Sequence, residues 1–528
     1  MKKTLFSAGL VLLTLSTLFS CKKGFEKMNI DPINVLHTSA DKLLAPAIYN
    51  TLWPGMSRNR SFNNELMQVT VSISDGDNTV FRYAFRSNQS DYLWNAWYVQ
   101  LTNFRDIDSL ASRGDSINSS YQGIARICEA WGFANLTDTY GDLPYFDALK
   151  GRQGNMQPVF DKQKDIYLDL FRKLEEANKL LVNDSMHIVT SSDPVYGGNI
   201  SKWRKFGNSL YLRLLLRISG KADVAQLCRD KIKQIVQNPA EYPIMTSNAD
   251  CARILWTGGT STTDAYTSPY VNGIRAQDFR SPAICSFFLD QLVTWNDPRF
   301  QASKPYGYGS IGRFGIAQAS GGGWYGVESG YAPGHGDAKG CYFQSNDNSS
   351  TGGVMSLQQN PLTGIIMQYA EVQFILAEAA AKGWIGGDAK TYFYQGIASA
   401  INYWVPEFPE SITSTNFATH LENLGAGSVV WKDDLPLEAG PGEDSKMELI
   451  HLQKYYALFM TDLQQWFEYR RTGHPELPKG DGLQNNKVMP ARLVYPVYVQ
   501  SANPTNYKTA VAAQGPDQIN TNVWWQKP

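Results

Sequence analysis

Histidine is scarce in this chain: there are 6 in 528 residues, at positions 37, 187, 335, 420, 451 and 474. No two stand at i, i+4 and none has an HExxH setting, which excludes the helix-borne zinc site of a metalloprotease. Also missing are a GxSxG elbow, a phosphate-binding P-loop and a GxGxxG that opens a strand–helix unit. Those absences remove the familiar routes to an activated serine, a nucleoside triphosphate or a dinucleotide. Charge of one sign is lacking too, with 48 Lys and Arg against 49 Asp and Glu, a net charge of −1. No basic stripe of the kind nucleic acid requires is present, so no nucleic-acid partner is expected. The 6 cysteines contain no CxxC pair. In a chain of this size that argues against a disulfide framework. Buried free thiols are expected at Cys128, Cys228, Cys251, Cys285 and Cys341, with one bridge from Cys251 to Cys285 as the alternative. Beyond the first 20 residues no apolar run reaches the roughly 20 residues that span a bilayer.

What is there begins at the N-terminus. Lys2 and Lys3 precede an apolar run from Leu5 to Phe19, with the length and flanks of a secretory signal peptide. The run ends in Leu18-Phe19-Ser20-Cys21, which resembles a lipobox, whose cysteine is acylated and becomes the first mature residue. Acylation at Cys21 would tether an otherwise soluble chain, since two or more acyl chains anchor stably where one does not. Lys22 and Lys23 follow, and this segment alone does not say which side of the membrane the protein faces.

Helical periodicity dominates the rest. Trp203, Phe206, Leu210 and Leu214 share one face, and Leu452, Tyr456, Phe459, Leu463 and Trp466 repeat the pattern as a second helix. That helix is expected to carry Arg470 and Arg471 in its last turn, where cations complement the macrodipole. Gly473 then serves as C-cap, and Pro475 forbids continuation. Further helices are expected around 40–52, 91–111, 119–136, 163–182, 222–237, 367–383 and 388–404. The pair at 367–404, with Ala370, Ala377, Gly383 and Ala400, resembles a tetratricopeptide helix pair, although a clean 34-residue repeat is absent. Between about 238 and 360 the periodicity fades while Gly, Ser, Thr, Asn and aromatics rise. Its Trp and Tyr content argues for an ordered, irregular insertion and against disorder.

Several segments together resemble the SusD-like (SusD/RagB) nutrient-binding lipoproteins, in the branch with a Tyr-Arg-Arg-Thr-Gly signature. They are Phe25, Asn29 and Asp31 to Asn34; Thr137 to Tyr145; Trp203, Phe206 to Leu210, Arg213 and Arg217; the helix at 370–380; Glu468 to Pro475; and Arg492, Tyr495-Pro496, Asn503, Asn506-Tyr507 and Trp524-Trp525. Phe19, Gly207 and Val499 depart from the usual pattern. The resemblance implies a mostly α fold, a tetratricopeptide-like helical-pair scaffold with a long irregular loop-rich insertion and minor β. It implies a signal peptide at 1–20 and one SusD-like domain over 21–528. The helical scaffold would occupy about 38–237 and 361–475, with the insertion at about 238–360. Also implied are anchoring to a Gram-negative outer membrane, facing the cell exterior, and a TonB-dependent (SusC-like) transporter as partner. The ligand would be an oligosaccharide or a peptide.

Sugar binding calls for flat apolar side chains plus hydrogen-bonding groups, which Trp and Tyr supply at low entropic cost. The family's ligand contacts come from loops and an early helix. The candidates there are Asn78, Arg82 and Tyr83 in the polar loop at 74–92, Trp94 just after it, and Tyr308, Trp324 and Tyr325 in the glycine-rich insertion. Trp97 shares a helical face with Leu101 and Phe104 and reads as core. The Tyr469-to-Gly473 string reads as a capped helix end. Asp347, Ser349 and Thr351-Gly352 imitate the start of a calcium loop, but Gln358 stands where the bidentate Glu belongs, and an Asn/Ser-rich turn fits better. No cofactor is expected, with a structural calcium ion left open. The chain is expected to bind and not to catalyse. Two alternatives remain: a lipid-anchored glycoside hydrolase, which needs only two well-placed carboxylates, and a helical-repeat scaffold for proteins.

Overall fold

A computed structural model describes residues 38–73, 79–113, 117–182, 187–300, 312–336, 338–347 and 356–527. Its first six long helices are α1 (Ala40–Arg58), α2 (Asp91–Leu110), α3 (Ser119–Tyr140), α4 (Gln163–Leu180), α5 (Ile200–Ile218) and α6 (Ala225–Gln237). Each packs on the next along the chain, which gives the stacked helical-pair arrangement. Caps set the boundaries. Asn118 Oδ1 accepts from the Ser120 and Tyr121 amides at 3.0 and 3.1 Å and starts α3. Asn199 does the same for α5 through Lys202 at 3.0 Å. Helix α3 is buried almost all round, so it forms the spine of the stack and not an amphipathic edge.

The loop-rich segment follows, with α7 (Ser286–Thr294) as its longest helix. The strands of the protein are short, none longer than four residues among the described residues. The strands are β1 (Thr70–Val71), β2 (Ala252–Ile254), β3 (Ala283–Ile284), β4 (Ile316–Ala317), β5 (Tyr342–Phe343) and β6 (Gly364–Met367). They pair antiparallel as β1 with β3, β2 with β6 and β4 with β5. The chain then returns to helix with α8 (Tyr369–Ala381), α9 (Ala389–Trp404), α10 (Thr415–Ala426), α11 (Lys446–Ala457), α12 (Gln464–Thr472), α13 (Val497–Ala502) and α14 (Pro504–Gln514). The fold is thus mostly α, about 53% helical, with the little strand confined to pairs that brace the irregular segment.

Helices α8 and α9 form the close pair read from the sequence. A Cβ at Gly396 of α9 would lie 2.8 Å from Cζ of Phe374 on α8, so glycine there lets the ring fill the seam. The expected single helix from Leu452 to Trp466 is not what forms. Helix α11 stops at Ala457, and α12 begins at Gln464. Between them Met460 and Asp462 take positive φ, at 66° and 28°. The break carries Asp462 into the interior, where its carboxylate accepts from Asn135 Nδ2 at 3.1 Å and its carbonyl from Asn59 Nδ2 at 2.7 Å. Buried polar partners outweigh continuous apolar spacing. Helix α1 likewise ends at Arg58 and not near 52, with Pro46 and Pro54 inside it. All five described cysteines are buried and free.

A chain of buried ion pairs ties the late helices to the early ones. Arg213 of α5 grips Glu371 of α8 through Nε and a terminal nitrogen, both at 2.6 Å. Arg471 of α12 holds Glu378 of α8 at 2.8 and 2.6 Å and also reaches Glu468. Lys454 Nζ lies 2.9 Å from Glu468, and Lys382 Nζ 2.6 Å from Glu378. Asp138 accepts from Tyr167 at 2.6 Å and from Trp525 Nε1 at 2.8 Å. Gly473, at φ 80°, then ends α12 with its N–H on the Tyr469 carbonyl. The Arg470-Arg471 step therefore serves as a buried clamp as well as a helix end.

Candidate functional site

Of the seven ligand candidates, Asn78 and Tyr308 lie outside the described residues, as does the acylation candidate Cys21. The other five fall in three surroundings. Arg82 is 2% exposed, and its Nε donates to the Tyr331 carbonyl at 2.8 Å while the guanidinium rests on the rings of Phe81 and Tyr331. Tyr83 is 4% exposed with φ 62°, and burial pushes its phenol well above the usual range. Both side chains are committed inward. Arg82 joins the 79–83 segment to the insertion, whereas Tyr83 lies toward Tyr469 of α12. Tyr331 completes that joint, its ring 5.1 Å from Phe81 and its hydroxyl donating to the Ser72 carbonyl at 3.3 Å.

Trp94 belongs to a different neighbourhood, the start of α2. It is 6% exposed and packs edge-on to Tyr140 and Tyr495, at 5.0 and 5.9 Å. Its free edge lines a groove of about 270 Å³ shared with Tyr98, Met156 and Tyr498. Trp97, one turn on, is core, with Nε1 donating to the Thr51 carbonyl at 3.1 Å.

The glycine-rich insertion presents the outward-facing ring. Gly321, Gly322 and Gly323 all have φ between 90° and 94°, a turn that side chains would strain. Two glycines further on solve a packing problem. A Cβ at Gly326 would lie 2.4 Å from the Ser286 amide nitrogen, and one at Gly340 would lie 2.4 Å from the Tyr325 carbonyl oxygen. The backbone between them is thereby drawn against its neighbours. Cys341 N–H donates to the Tyr325 carbonyl at 2.9 Å, and Val327 N–H donates to that of Ile284 at 2.9 Å. Trp324 turns inward, edge-on to Phe300 at 4.7 Å, and keeps part of its surface outside. Tyr325 stays 44% exposed on a backbone held from both sides.

Beside it the structure adds residues that sequence reasoning missed. Tyr342 on β5 is half-buried, and Lys339 Nζ stands 4.5 Å over its ring while donating to the Arg280 carbonyl. Burial, then the Arg280 charge, lowers the Lys339 ammonium from its ordinary value. The signal for these residues is a two-residue pairing, Ala317 opposite Tyr342, too short for a period to reveal. Gln358, read at the end of a faint calcium loop, is buried and ties the Asn346 amide to the Tyr270 and Ile274 carbonyls.

One group has the composition of a metal site: Glu378, His451 and Glu468 offer atoms within 4.8 Å of one another. Their carboxylates already hold Arg471, Lys454 and Lys382, so an ion would have to displace cations that are themselves buried. The arrangement is an ionic core.

Comparison with known proteins accounts for this pattern. A family model described as starch-binding and associating with the outer membrane, SusD-like, matches residues 32–496. The chain belongs to the SusD-like family. No curated protein matches. Among solved structures, a SusD homolog from Bacteroides fragilis is 24% identical, with a TM-score of 0.70, over 93% of this chain and 100% of the other. A chitin-binding SusD homolog from Flavobacterium johnsoniae is 20% identical, with a TM-score of 0.71, over 92% of this chain and 98% of that one. A SusD homolog from Bacteroides uniformis is 21% identical, with a TM-score of 0.69, over 92% and 99%. These likenesses fix the SusD-like fold, and the family description associates it with the outer membrane. Among the described residues of this SusD-like chain, no helix is long and apolar enough to cross a membrane.

Proposed function

We propose that this SusD-like chain is a lipid-anchored binding protein of the outer membrane. It captures an oligosaccharide, or a peptide, at the cell exterior and passes it uncut to a TonB-dependent transporter. The observation that carries the reading is Tyr325, a ring nearly half free on a backbone clamped from both sides. A ring held still binds the C–H face of a sugar at little entropic cost. Trp324, Tyr342 and Lys339 would extend that platform, with Asn78 and Tyr308 as further candidates on the neighbouring loops. Trp94 would contribute from its own groove. Arg82 would act from beneath, by holding Tyr331 and its segment, with Tyr83 beside it in the chain. The family's starch-binding description and the chitin-binding relative favour a glycan over a peptide. Acylation of Cys21 supplies the tether.

A glycan and peptide array probed with the soluble form lacking residues 1–21 tests the ligand class. Binding without product release is expected, as is co-purification of the full-length protein with a large outer-membrane barrel. Cleavage of the bound ligand would overturn the reading. Cys21→Ser should move the protein from the membrane to the soluble fraction, and an unchanged distribution would remove the anchor from the account.

A further inference from the structure

A cleft of about 580 Å³ opens between the turn before α5, the first turn of that helix and strand β2, and shares no lining residue with the Tyr325 platform. Its wall is rigid. Asp193 accepts from the amides of Val195, Tyr196 and Gly198 at 3.0, 3.1 and 2.8 Å and from Trp203 Nε1 at 2.8 Å. Both of its oxygens are therefore engaged. Tyr196 is pinned a second time, its hydroxyl donating to the Asp250 carbonyl at 2.8 Å. Across the cleft stands Tyr266, whose carbonyl accepts from the Thr257 amide at 2.8 Å, beside Leu255, which is 52% exposed.

Two cations face this space. Arg253 lies on β2 with its guanidinium 5.0 Å from the Tyr403 ring centre, and Lys202 Nζ donates to the Ala249 carbonyl at 2.6 Å. Among the described residues neither forms a salt bridge. The only carboxylate on the lining is Asp193, whose oxygens already hold four donors. On the lining two cations stand against one carboxylate, while Asp250, paired with Lys205, and Glu410 lie close to Cys251. An arginine fork and a nearby ammonium suit a carboxylate. The hydroxyls of Thr190 and Ser191 and the faces of Tyr196, Tyr266 and Leu255 suit a pyranose ring.

We infer that this cleft is a second binding site, for a carboxylated saccharide whose acid group pairs with Arg253 and Lys202. The ligand class rests on the sugar-binding reading above, while the site itself does not depend on the Tyr325 platform. Calorimetry on the soluble chain with tetragalacturonate, and with maltotetraose as the neutral counterpart, tests it. Tetragalacturonate should bind saturably and weaken at high salt. It should lose about tenfold in affinity in Arg253→Gln and less in Lys202→Gln. Lys202→Gln, at a partly exposed lysine, carries the test if Arg253→Gln fails to fold. The inference is overturned if tetragalacturonate does not bind, if the affinity ignores both substitutions, or if a tetrapeptide with a free carboxylate binds more tightly. Tetragalacturonate binding that survives while all Tyr325-dependent binding proves absent would sink the platform and leave this site standing.

Discussion

Arg471 reaches Glu378 with two separate nitrogens, at 2.8 and 2.6 Å, across 93 residues of sequence and inside the protein. Burial alone would raise the Glu378 carboxyl, but Arg471 and Lys382 outweigh it and hold it well below the usual range. Arg471→Met would leave Glu378 and Glu468 without their shared cation. The expected loss is about 3–5 kcal/mol of stability, read from chemical unfolding. Lysine at 471 should recover only part, because it lacks the fork that spans both carboxylates.

His420 sets a pH response. It is 2% exposed, its ring lies 6.3 Å from Phe408, and neither ring nitrogen has a hydrogen-bond partner among the described residues. Burial lowers it to about 4, only partly offset by Asp297. Between the unfolded value of about 6.5 and that folded value the unfolded chain binds the extra proton, so stability must fall as the pH drops through this window. Below it both states are protonated and the contribution is spent. Thermal scans from pH 7 to 4 should show the decline, and His420→Leu should make it shallower, the rest coming from His451, which burial lowers to about 3. A parallel slope in the variant would clear His420 of the effect.

At the platform, Tyr325→Ala should weaken ligand binding by about 1 kcal/mol or more while leaving the melting temperature unchanged, because the ring is 44% exposed. Arg82→Gln should behave in the opposite way. Its guanidinium is buried against Tyr331, so it should lower stability first and binding only through the displaced segment. Titration of both variants with the best array hit separates the two roles.

Gly396→Ala tests the helix seam. Alanine gains up to about 1 kcal/mol of helix propensity, yet its Cβ would come 2.8 Å from the Phe374 ring. Overpacking of about 1–3 kcal/mol should win, giving a lower urea midpoint. Phe374→Leu in the same chain should restore part of the loss. If Gly396→Ala alone raises the midpoint, the seam is looser than described.

Much of the scaffold was legible because apolar periodicity and capping residues are local signals. Gly473 ends α12 as read. The helix expected from 388 starts where Asp388 caps α9 through the Lys390 and Thr391 amides at 3.2 and 3.1 Å, whereas the caps Asn118 and Asn199 were not singled out. The break at Met460 to Asp462 was not legible, because its cause is a set of polar partners on Asn59 and Asn135, more than 300 residues away. The site divides in the same way. Glycines flanking Trp324 and Tyr325 could be read from the sequence, whereas the inward turn of Arg82 depends on Tyr331, 249 residues on. Helices α13 and α14, with little apolar face to bury, left no period to find.

Asp138 has its own bearing on how the chain comes to be folded. Its carboxylate lies near Arg217, at 3.7 Å, and is finished by Trp525, 387 residues away. The last residues therefore complete the polar surroundings of the central helix α3, and pairings so distant in sequence form slowly. Removing even the final few residues should leave Asp138 with Tyr167 as its remaining hydrogen-bond donor in the middle of the molecule, although nothing near the ligand face would have been touched.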